Sequence, residues 1–599
     1  MKKLAPILLL PVLLALVAAA LAPKLASEDR LRAEAQRLLS AAAGHEVRIE
    51  GPVSFSAFPW PALTLDGLSV GAPGVATLEA PQARVVLDLL PLLTGQAKAD
   101  HIELREPVLT LAEREDELGA LTEILNGLGR SRLRADVSLQ DGRILRRVNG
   151  EARELLGDTD LDLSWRGGDR LSIAGHLIWR DEPLDVDLNL SDLVALAEGG
   201  AGGVQVKLSG PPAELSFAGT MRLASGPVIE GALECSSRRL RATLEWLGLE
   251  APTEKGFGPF ALRAHALVTA QGATLSQARL ELDGNVSEGG FSLRTGNGRA
   301  GLQGSFASAS VDLSPYGQPV LAEPGGGGWS RETIDLKRLK DFDLDLRFSA
   351  AQVHAGTTRL DRLAASAVLK AGKLTLAIGD SEAWEGAFRA MAQIAPLEQG
   401  MDVRVELAGE GVSLAQALGD LFRSQRLEGT GSFRIDLGAS GASVAELVGR
   451  LSGTASLTGT EGALAGIDVP RILARLEQRP LSGAGDLRGG RTPYDTIDFS
   501  AKIHEGIAHV ERLNIESAKL RIELNGDTDL ARRDLDLEGT AQLVRAADPA
   551  PFDLPFVVRG SWGRPLLLPD PQALIRRSGA ARPLFGGKLD TFGVAAPLP

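Results

Sequence analysis

The segment Asp341–Phe348, DFDLDLRF, carries the pattern that decides the fold. Apolar Phe342, Leu344, Leu346 and Phe348 alternate with polar Asp341, Asp343, Asp345 and Arg347. Because successive side chains of a β-strand point to opposite faces, the pattern predicts a strand with one apolar and one wetted face. A one-residue slip in pairing would place carboxylates on the apolar face, at a large desolvation cost. The sequence therefore predicts a one-sided sheet with a well-defined register.

The same alternation recurs along the chain from about Val47. Clear examples are Val186, Leu188 and Leu190; Phe433, Ile435 and Leu437; and Leu520, Ile522 and Leu524. Dipeptides able to supply a positive φ predict hairpin turns at Asp66-Gly67, Asp141-Gly142, Asp283-Gly284 and Asn525-Gly526. Helical patterns are few. They begin after Ser413, Ser443 and Asp468 and give Leu414–Phe422, Val444–Leu451 and Val469–Leu476, expected to cover sheet ends or edges.

Too few helices are predicted to cover so many one-sided strands. Either two sheets fold on each other, or one long curved sheet contains an apolar groove. We predict the second: a mainly β protein in which an N-terminal transmembrane helix precedes an elongated, curved antiparallel sheet with a few capping helices. The residues expected to line its groove are Phe342, Leu344, Leu346, Phe348, Leu520, Ile522 and Leu524.

The segment Leu4–Pro23 is an uncharged, apolar run that follows Lys2 and Lys3. About 20 such residues suffice to cross a bilayer as a helix, and we predict an uncleaved anchor that includes Leu4, Leu10, Leu13, Leu16 and Leu21. A cleaved signal peptide is the alternative, because Ala18-Ala19-Ala20 offers a cleavage site. The anchor predicts a single-pass protein whose main body lies outside the cytoplasm. A helical pattern follows at Glu28–Ala43.

Composition limits the function. The formal net charge of −13 argues against a nucleic-acid partner, which requires a clustered basic face. Cys235 is the only cysteine, so the chain forms no intrachain disulfide and no cysteine-based zinc site.

Motifs that suggest chemistry lack their required context. Gly67-Leu68-Ser69-Val70-Gly71 resembles a nucleophile elbow, but Ala72-Pro73-Gly74 follows where a helix must begin. His504 and His509 are five residues apart, so they share no helical face and point to opposite sides of a strand. Acidic alternation at Asp158–Asp162 is better explained by the wetted face of a strand than by a calcium loop. We therefore predict no catalytic, cofactor-binding or metal-binding residue, and no enzyme.

Two regions resemble the AsmA family of bacterial inner-membrane-anchored periplasmic proteins. The first extends from the anchor to about Leu111 and includes Phe58-Pro59-Trp60-Pro61 and Leu89-Leu90-Pro91-Leu92-Leu93. The second extends from about Gly429 to Pro571 and includes Thr492-Pro493-Tyr494-Asp495 and Leu554-Pro555-Phe556. The predicted organisation is a cytoplasmic stub (1–3), an anchor (4–23), an AsmA-like N-terminal module (24–130), a strand-rich middle (131–428), an AsmA-like C-terminal module (429–571) and a tail (572–599).

The resemblance implies a bridge-type lipid carrier of outer-membrane biogenesis, attached to the inner membrane. Alternation agrees, since acyl chains need an apolar floor without specific polar contacts. The leading hypothesis is non-enzymatic phospholipid transfer or envelope lipid homeostasis. A periplasmic scaffold that modulates outer-membrane protein assembly is the alternative, and an envelope hydrolase is the enzyme-class rival. Expected partners are inner-membrane lipids, phospholipid cargo and an outer-membrane or periplasmic protein.

Overall fold

Period-two alternation gives long strands throughout the computed structural model of the chain. The structure describes residues 28–43, 45–72, 76–93, 98–112, 136–166, 169–223, 226–251, 255–296, 299–316, 328–334, 336–356, 358–422, 424–478, 489–544, 552–562 and 566–569. The chain divides into two units, Met1–Gly298 and Arg299–Pro599. Each is described by itself.

The first unit is a mixed sheet with short helices. Its strands are β1 (Glu46–Ile49), β2 (Val53–Ser56), β3 (Ala62–Ala72), β4 (Ala76–Leu87), β5 (Ala99–Arg105), β6 (Val108–Leu111), β7 (Asp136–Val148), β8 (Glu151–Arg166), β9 (Arg170–Trp179), β10 (Glu182–Ser191), β11 (Ala201–Ser209), β12 (Glu214–Arg222), β13 (Val228–Ser237), β14 (Phe260–Thr269), β15 (Gly272–Leu282) and β16 (Asn285–Gly296). Its helices are α1 (Glu28–Ala43), α2 (Leu89–Leu93), α3 (Leu193–Ala197) and α4 (Leu240–Trp246).

The second unit has the same character. Its strands are β17 (Arg299–Asp312), β18 (Phe342–Ala355), β19 (Thr358–Lys370), β20 (Lys373–Ala383), β21 (Gly386–Pro396), β22 (Met401–Ser413), β23 (Leu427–Gly441), β24 (Ser452–Ala465), β25 (Arg491–His504), β26 (Ile507–Ser517), β27 (Leu520–Asp529), β28 (Asp534–Leu543), β29 (Phe552–Ser561) and β30 (Leu566–Pro569). Its α-helices are α5 (Leu414–Phe422), α6 (Val444–Gly449) and α7 (Val469–Gln478), and 3-10 turns lie at Ser314–Tyr316 and Lys337–Lys340.

Most neighbouring strands are consecutive in sequence and antiparallel, as predicted, but the sheet is not purely antiparallel. In the first unit β7 pairs in parallel with β5 and β6, and in the second unit β18 pairs in parallel with β17. A parallel pair needs a long crossover connection. The expectation of an antiparallel sheet throughout is therefore wrong at these two places.

Only one of the four predicted turn dipeptides makes a hairpin turn. Asp283-Gly284 connects β15 to β16 with a positive φ at both residues. The prediction of turns at Asp66-Gly67, Asp141-Gly142 and Asn525-Gly526 is wrong, because each dipeptide lies inside a strand. Gly67, Asp141 and Gly526 do have positive φ. A β-bulge uses the same backbone conformation to bend a long strand without ending it.

The predicted helices form. Ser443 is the N-cap of α6 and its side chain accepts a hydrogen bond from the backbone N–H of Glu446, although α6 ends at Gly449, before Leu451. The Asp468 carboxylate accepts from the N–H of Arg471 at 3.0 Å and so caps α7. The bounds of α1 and α5 agree with the predicted segments. Short-range capping chemistry therefore suffices to locate these helices.

The predicted anchor, Leu4–Pro23, lies outside the described residues. Among the helices that the structure describes, none combines the length and apolar character required to span a bilayer.

A strap at residues 328–334 crosses strand ends in the second unit. The Trp329 indole donates to the carbonyl oxygen of Leu530 at 2.9 Å and stacks under the guanidinium of Arg533, 4.3 Å from the ring centroid. At the other end of the strap, the N–H of Ile334 donates to the carbonyl of Ala442 at 3.0 Å. The Trp329 contacts join positions about 200 residues apart in the sequence, and the Ile334 contact joins positions about 100 apart, which local patterns do not predict.

Candidate apolar groove

A continuous apolar row crosses the sheet of the second unit. Directly paired residues of adjacent strands point to the same face, so the strand register identifies the row. Every member is apolar or Gly, and the row consists of Phe306, Phe348, Ala365, Ile378, Ala390, Leu407, Ile435, Ala455, Ala501, Val510, Gly526, Leu537 and Val558. It touches each strand from β17 to β29. Phe348, Leu407 and Ile435 are only half-buried, so much of this face remains accessible.

The opposite face of the same strands is wetted and charged. Arg404 pairs with Asp436 across β22 and β23 at 3.2 Å, Lys502 with Glu511 at 2.6 Å, and Arg559 with Asp536 at 2.7 Å. These exposed pairs contribute little to stability. They determine which face of the sheet meets water, because turning these side chains inward would remove their charges from water.

The first unit has an equivalent row of its own. It consists of Phe55, Leu63, Val85, Ile102, Val137, Leu163, Ile173, Leu188, Val206, Phe217, Leu233 and Ala264. The adjacent row on the other face includes Arg84, Glu103, Asp162, Asp187 and Lys207. Each unit therefore presents one apolar face that continues from strand to strand.

A cavity of about 410 Å³ lies against the apolar face of β23–β29. Its wall is almost wholly apolar and includes Leu457, Phe499, Leu513, Leu524, Phe556 and Val558. This volume lies within the range of about 300–1,000 Å³ that is typical of small-ligand pockets. The polar lining residues are Ser424 and Arg426. Arg426 is exposed and has no ion-pair partner among the residues that the structure describes.

Helix α7 covers part of this cavity. Val469, Ile472 and Leu473 line it from the helix, and Leu473 is only 1% exposed. The Thr492 hydroxyl fixes the start of α7, since it accepts from the N–H of Val469 at 3.0 Å and donates to the carbonyl of Ile467 at 2.7 Å. The sequence predicts this helix but places it at a sheet end or edge, whereas it packs on the apolar face.

The two predicted groove segments have different surroundings. Leu520 and Ile522 are buried in the cluster beside the cavity, and Ile522 and Leu524 line the cavity itself. On β18, Phe348 packs against the cluster formed by Val311, Ala350, Val353 and Leu363. Leu344 and Leu346 are half-buried, and Phe342, at the strand start, is exposed. Lipid contact at all seven positions stays a prediction.

Tyr494 belongs to the buried cluster beside the cavity, a role that the sequence does not predict. Its hydroxyl donates to the carbonyl oxygen of Glu428. Burial, with a smaller contribution from the Glu428 carboxylate, raises the pKa of Tyr494 to about 12. The neutral phenol is therefore the form that packs here. A buried ring whose hydroxyl makes a hydrogen bond is the usual arrangement for a buried tyrosine.

We expect the Tyr494 phenolate to appear only near pH 12. A tyrosine in the unfolded chain ionises near pH 10. Since the folded pKa is higher, the stabilisation is fully present below about pH 10 and is lost as pH rises toward 12. The measurement is ultraviolet titration of the Tyr316→Phe variant, because Tyr316 and Tyr494 are the two tyrosines. Ionisation of folded protein near pH 10 would contradict burial of the hydroxyl.

The motifs that resemble a nucleophile elbow and a zinc site lie in ordinary strands. Ser69 is inside β3, opposite Arg48 of β1 and Glu79 of β4, rather than at a strand-to-helix turn. His509 pairs with Asp527 on the wetted face, and His504 ends β25 opposite Ile507. In the described part of the chain, no group of three or more His, Cys, Asp or Glu side chains is placed to hold a metal ion. A large sheet of this kind fits a non-enzymatic protein.

Comparison with known families supports the resemblance noted from the sequence. The family model for AsmA matches residues 1–127 and 297–513, which together make up more than half of the chain. The second match begins before Gly429–Pro571, the segment whose motifs carry the resemblance, and ends inside it. No curated protein matches the chain. The extent of the family match shows that this chain belongs to the AsmA family.

Proposed function

We propose that this protein is a non-enzymatic phospholipid carrier of the bacterial envelope, anchored in the inner membrane by Leu4–Pro23, with its sheets in the periplasm. Membership of the AsmA family and the large one-sided sheets are consistent with a lipid-transport or envelope-related role. The observation that carries the proposal is the apolar row that touches each strand from β17 to β29.

The cargo of such an apolar row would be acyl chains. Acyl chains gain free energy from leaving water and need no directional partners, so a continuous apolar row serves them at every position. The half-buried state of Phe348, Leu407 and Ile435 leaves that surface in reach of a ligand. At the cavity, Arg426 provides a cation beside a wall that is apolar apart from Ser424. That combination suits an amphiphile with apolar tails and an anionic headgroup.

Photo-crosslinking tests the proposal. A photoreactive residue at Leu524, which lines the cavity, is expected to capture phospholipid in intact cells. The matched control is Glu523, the adjacent residue on the exposed face of β27. Mass spectrometry of the crosslinked products identifies the cargo.

Capture at Leu524 and not at Glu523 supports the carrier. Equal labelling at both positions, or none at either while the protein is present at normal abundance, would reject an oriented lipid path. Crosslinks from Glu523 to an outer-membrane protein, with no lipid at Leu524, would favour the scaffold that modulates outer-membrane protein assembly.

A further inference from the structure

Four large apolar side chains are exposed on two neighbouring segments of the first unit. Phe58 is 85% exposed, Trp60 is 62% exposed and Leu90 is 75% exposed, and Leu89 beside it is also exposed. Isolated exposed apolar residues are ordinary, but an exposed cluster marks a site of interaction. We call Phe58, Trp60, Leu89 and Leu90 the interfacial patch.

The strand register places these residues together. Ser56, at the end of β2, is opposite Ala62 at the start of β3, and Ala62 is opposite Val86 near the end of β4. The loop at 57–61 and helix α2 therefore leave the sheet at the same edge. The N–H of Leu87 donates to the carbonyl of Pro61 at 2.8 Å, which joins the two segments directly.

The patch is held in its exposed conformation. The Ser56 hydroxyl donates to the carbonyl of Phe58 at 2.9 Å, and the Asp88 carboxylate accepts from the N–H of Leu90 at 3.3 Å at the start of α2. Pro59 and Pro61 fix φ on either side of Trp60. Exposure is thus built into the loop, which is the arrangement needed for insertion at low entropic cost.

The chain enters the first unit at this same edge. Helix α1 packs on the core beside β1 and β2, and its Ser40 hydroxyl accepts from the N–H of Val47 at the start of β1. Sixteen helical residues extend about 24 Å back along strands that span about 33 Å from Glu46 to Ser56. Glu28 therefore lies toward the Ser56 end. The 20-residue apolar run of the sequence precedes it.

The charges near this edge are close to balanced. Arg30 and Lys98 are exposed and have no ion-pair partner among the described residues, while Asp100 is an exposed anion on β5. Arg32 pairs with Glu28 at 3.0 Å. Attraction to anionic headgroups would therefore contribute little at this edge.

We propose that the interfacial patch inserts into the headgroup and upper acyl region of the lipid bilayer from which the chain emerges. Trp and Phe favour that region because their rings combine apolar area with tolerance of the wet interface, and exposed Leu side chains add buried area. The contact orients the first strands against the membrane surface. This membrane contact does not depend on lipid transfer, since a scaffold protein with the same anchor would make the same contact.

Depth measurement on the full-length protein tests the insertion. Cys235→Ser removes the single native thiol, and nitroxide labels are then attached through Phe58→Cys, Trp60→Cys or Leu90→Cys. Each protein is reconstituted in vesicles of phosphatidylethanolamine with phosphatidylglycerol as the minor component. The matched control is Val194→Cys. Val194 is exposed on α3 after β10, at the same strand-end edge but five strands beyond β4, about 24 Å away at ~4.8 Å per strand.

We expect labels at 58, 60 and 90 to be more accessible to oxygen than to a water-soluble nickel complex, and the label at 194 to show the reverse. High salt should leave both results unchanged. If the labels at 58, 60 and 90 are accessible to the water-soluble nickel complex in protein that floats with the vesicles, the proposal is overturned. The anchor alone would then attach the protein to the membrane. Lipid accessibility at 194 as well would also overturn it, since the whole edge would then lie on the bilayer.

Discussion

Leu346→Asp is expected to reduce phospholipid transfer at least tenfold without unfolding the protein. Leu346 lies on the apolar face between Gly304 of β17 and Ala367 of β19, both small residues, so Asp fits without a clash. Its carboxylate meets acyl chains that cannot pair with it. If the desolvation cost raises the barrier to lipid passage by only about 1.4 kcal/mol, transfer slows about tenfold.

The measurement is transfer of fluorescent phospholipid between donor and acceptor vesicles by purified full-length protein. The matched control is Ser349→Asp, which introduces the same carboxylate on the same strand at an exposed position of the opposite face. We expect Ser349→Asp to transfer at the wild-type rate. Wild-type transfer by both variants at equal abundance would show that lipid does not move along this face, and equal loss in both would point to a general charge effect.

Leu520→Ala is expected to destabilise the second unit locally by about 2–5 kcal/mol, the usual cost of truncating a buried leucine. Leu520 is 1% exposed and belongs to the cluster that includes Leu473, Tyr494, Ile515 and Leu554. The cluster joins α7 to the sheet. Because each strand contacts mainly its neighbours, the loss of stability should stay near the cavity.

Hydrogen exchange measured by mass spectrometry tests this expectation. Amides of β26–β28 should exchange faster in Leu520→Ala, while those of β18–β20 keep their wild-type rates. Arg521→Ala is the control, because Arg521 is exposed and its ion pair with Glu516, at 3.2 Å, contributes little. Uniform acceleration across the second unit would contradict local stability, and unchanged exchange at β26–β28 would contradict the packing of Leu520.

Much of the fold is predictable because its signals are local. Alternation such as Leu520, Ile522 and Leu524 depends only on the two-residue period of a strand. The start of α6 depends on the Ser443 hydroxyl and the N–H of Glu446, three residues apart. The anchor prediction also uses only the length and composition of Leu4–Pro23, and it stays a prediction because that segment lies outside the described residues. These inferences need no knowledge of which strands meet.

The failures concern partners that are distant in sequence. Gly67 has the positive φ expected of a turn, but β3 continues through it, because Asp66 and Leu68 on either side pair with Gln82 and Ala80 of β4. The parallel pairing of β17 with β18 joins two strands that no tight turn connects, since β17 ends at Asp312 and β18 begins at Phe342. A dipeptide or a strand pattern is compatible with either outcome, and pairing energy decides between them.

The sequence by itself determined that the strands are one-sided, where the capping helices begin and which side chains are apolar, because each follows from the geometry of a few consecutive residues. The tertiary structure alone decided that those apolar side chains align in unbroken rows, that α7 packs over a cavity rather than an edge, and that Phe58, Trp60 and Leu90 share one exposed site. The rows depend on the register between strands, and the positions of α7 and of the exposed site depend on contacts between separate elements. The pattern of a few consecutive residues specifies neither.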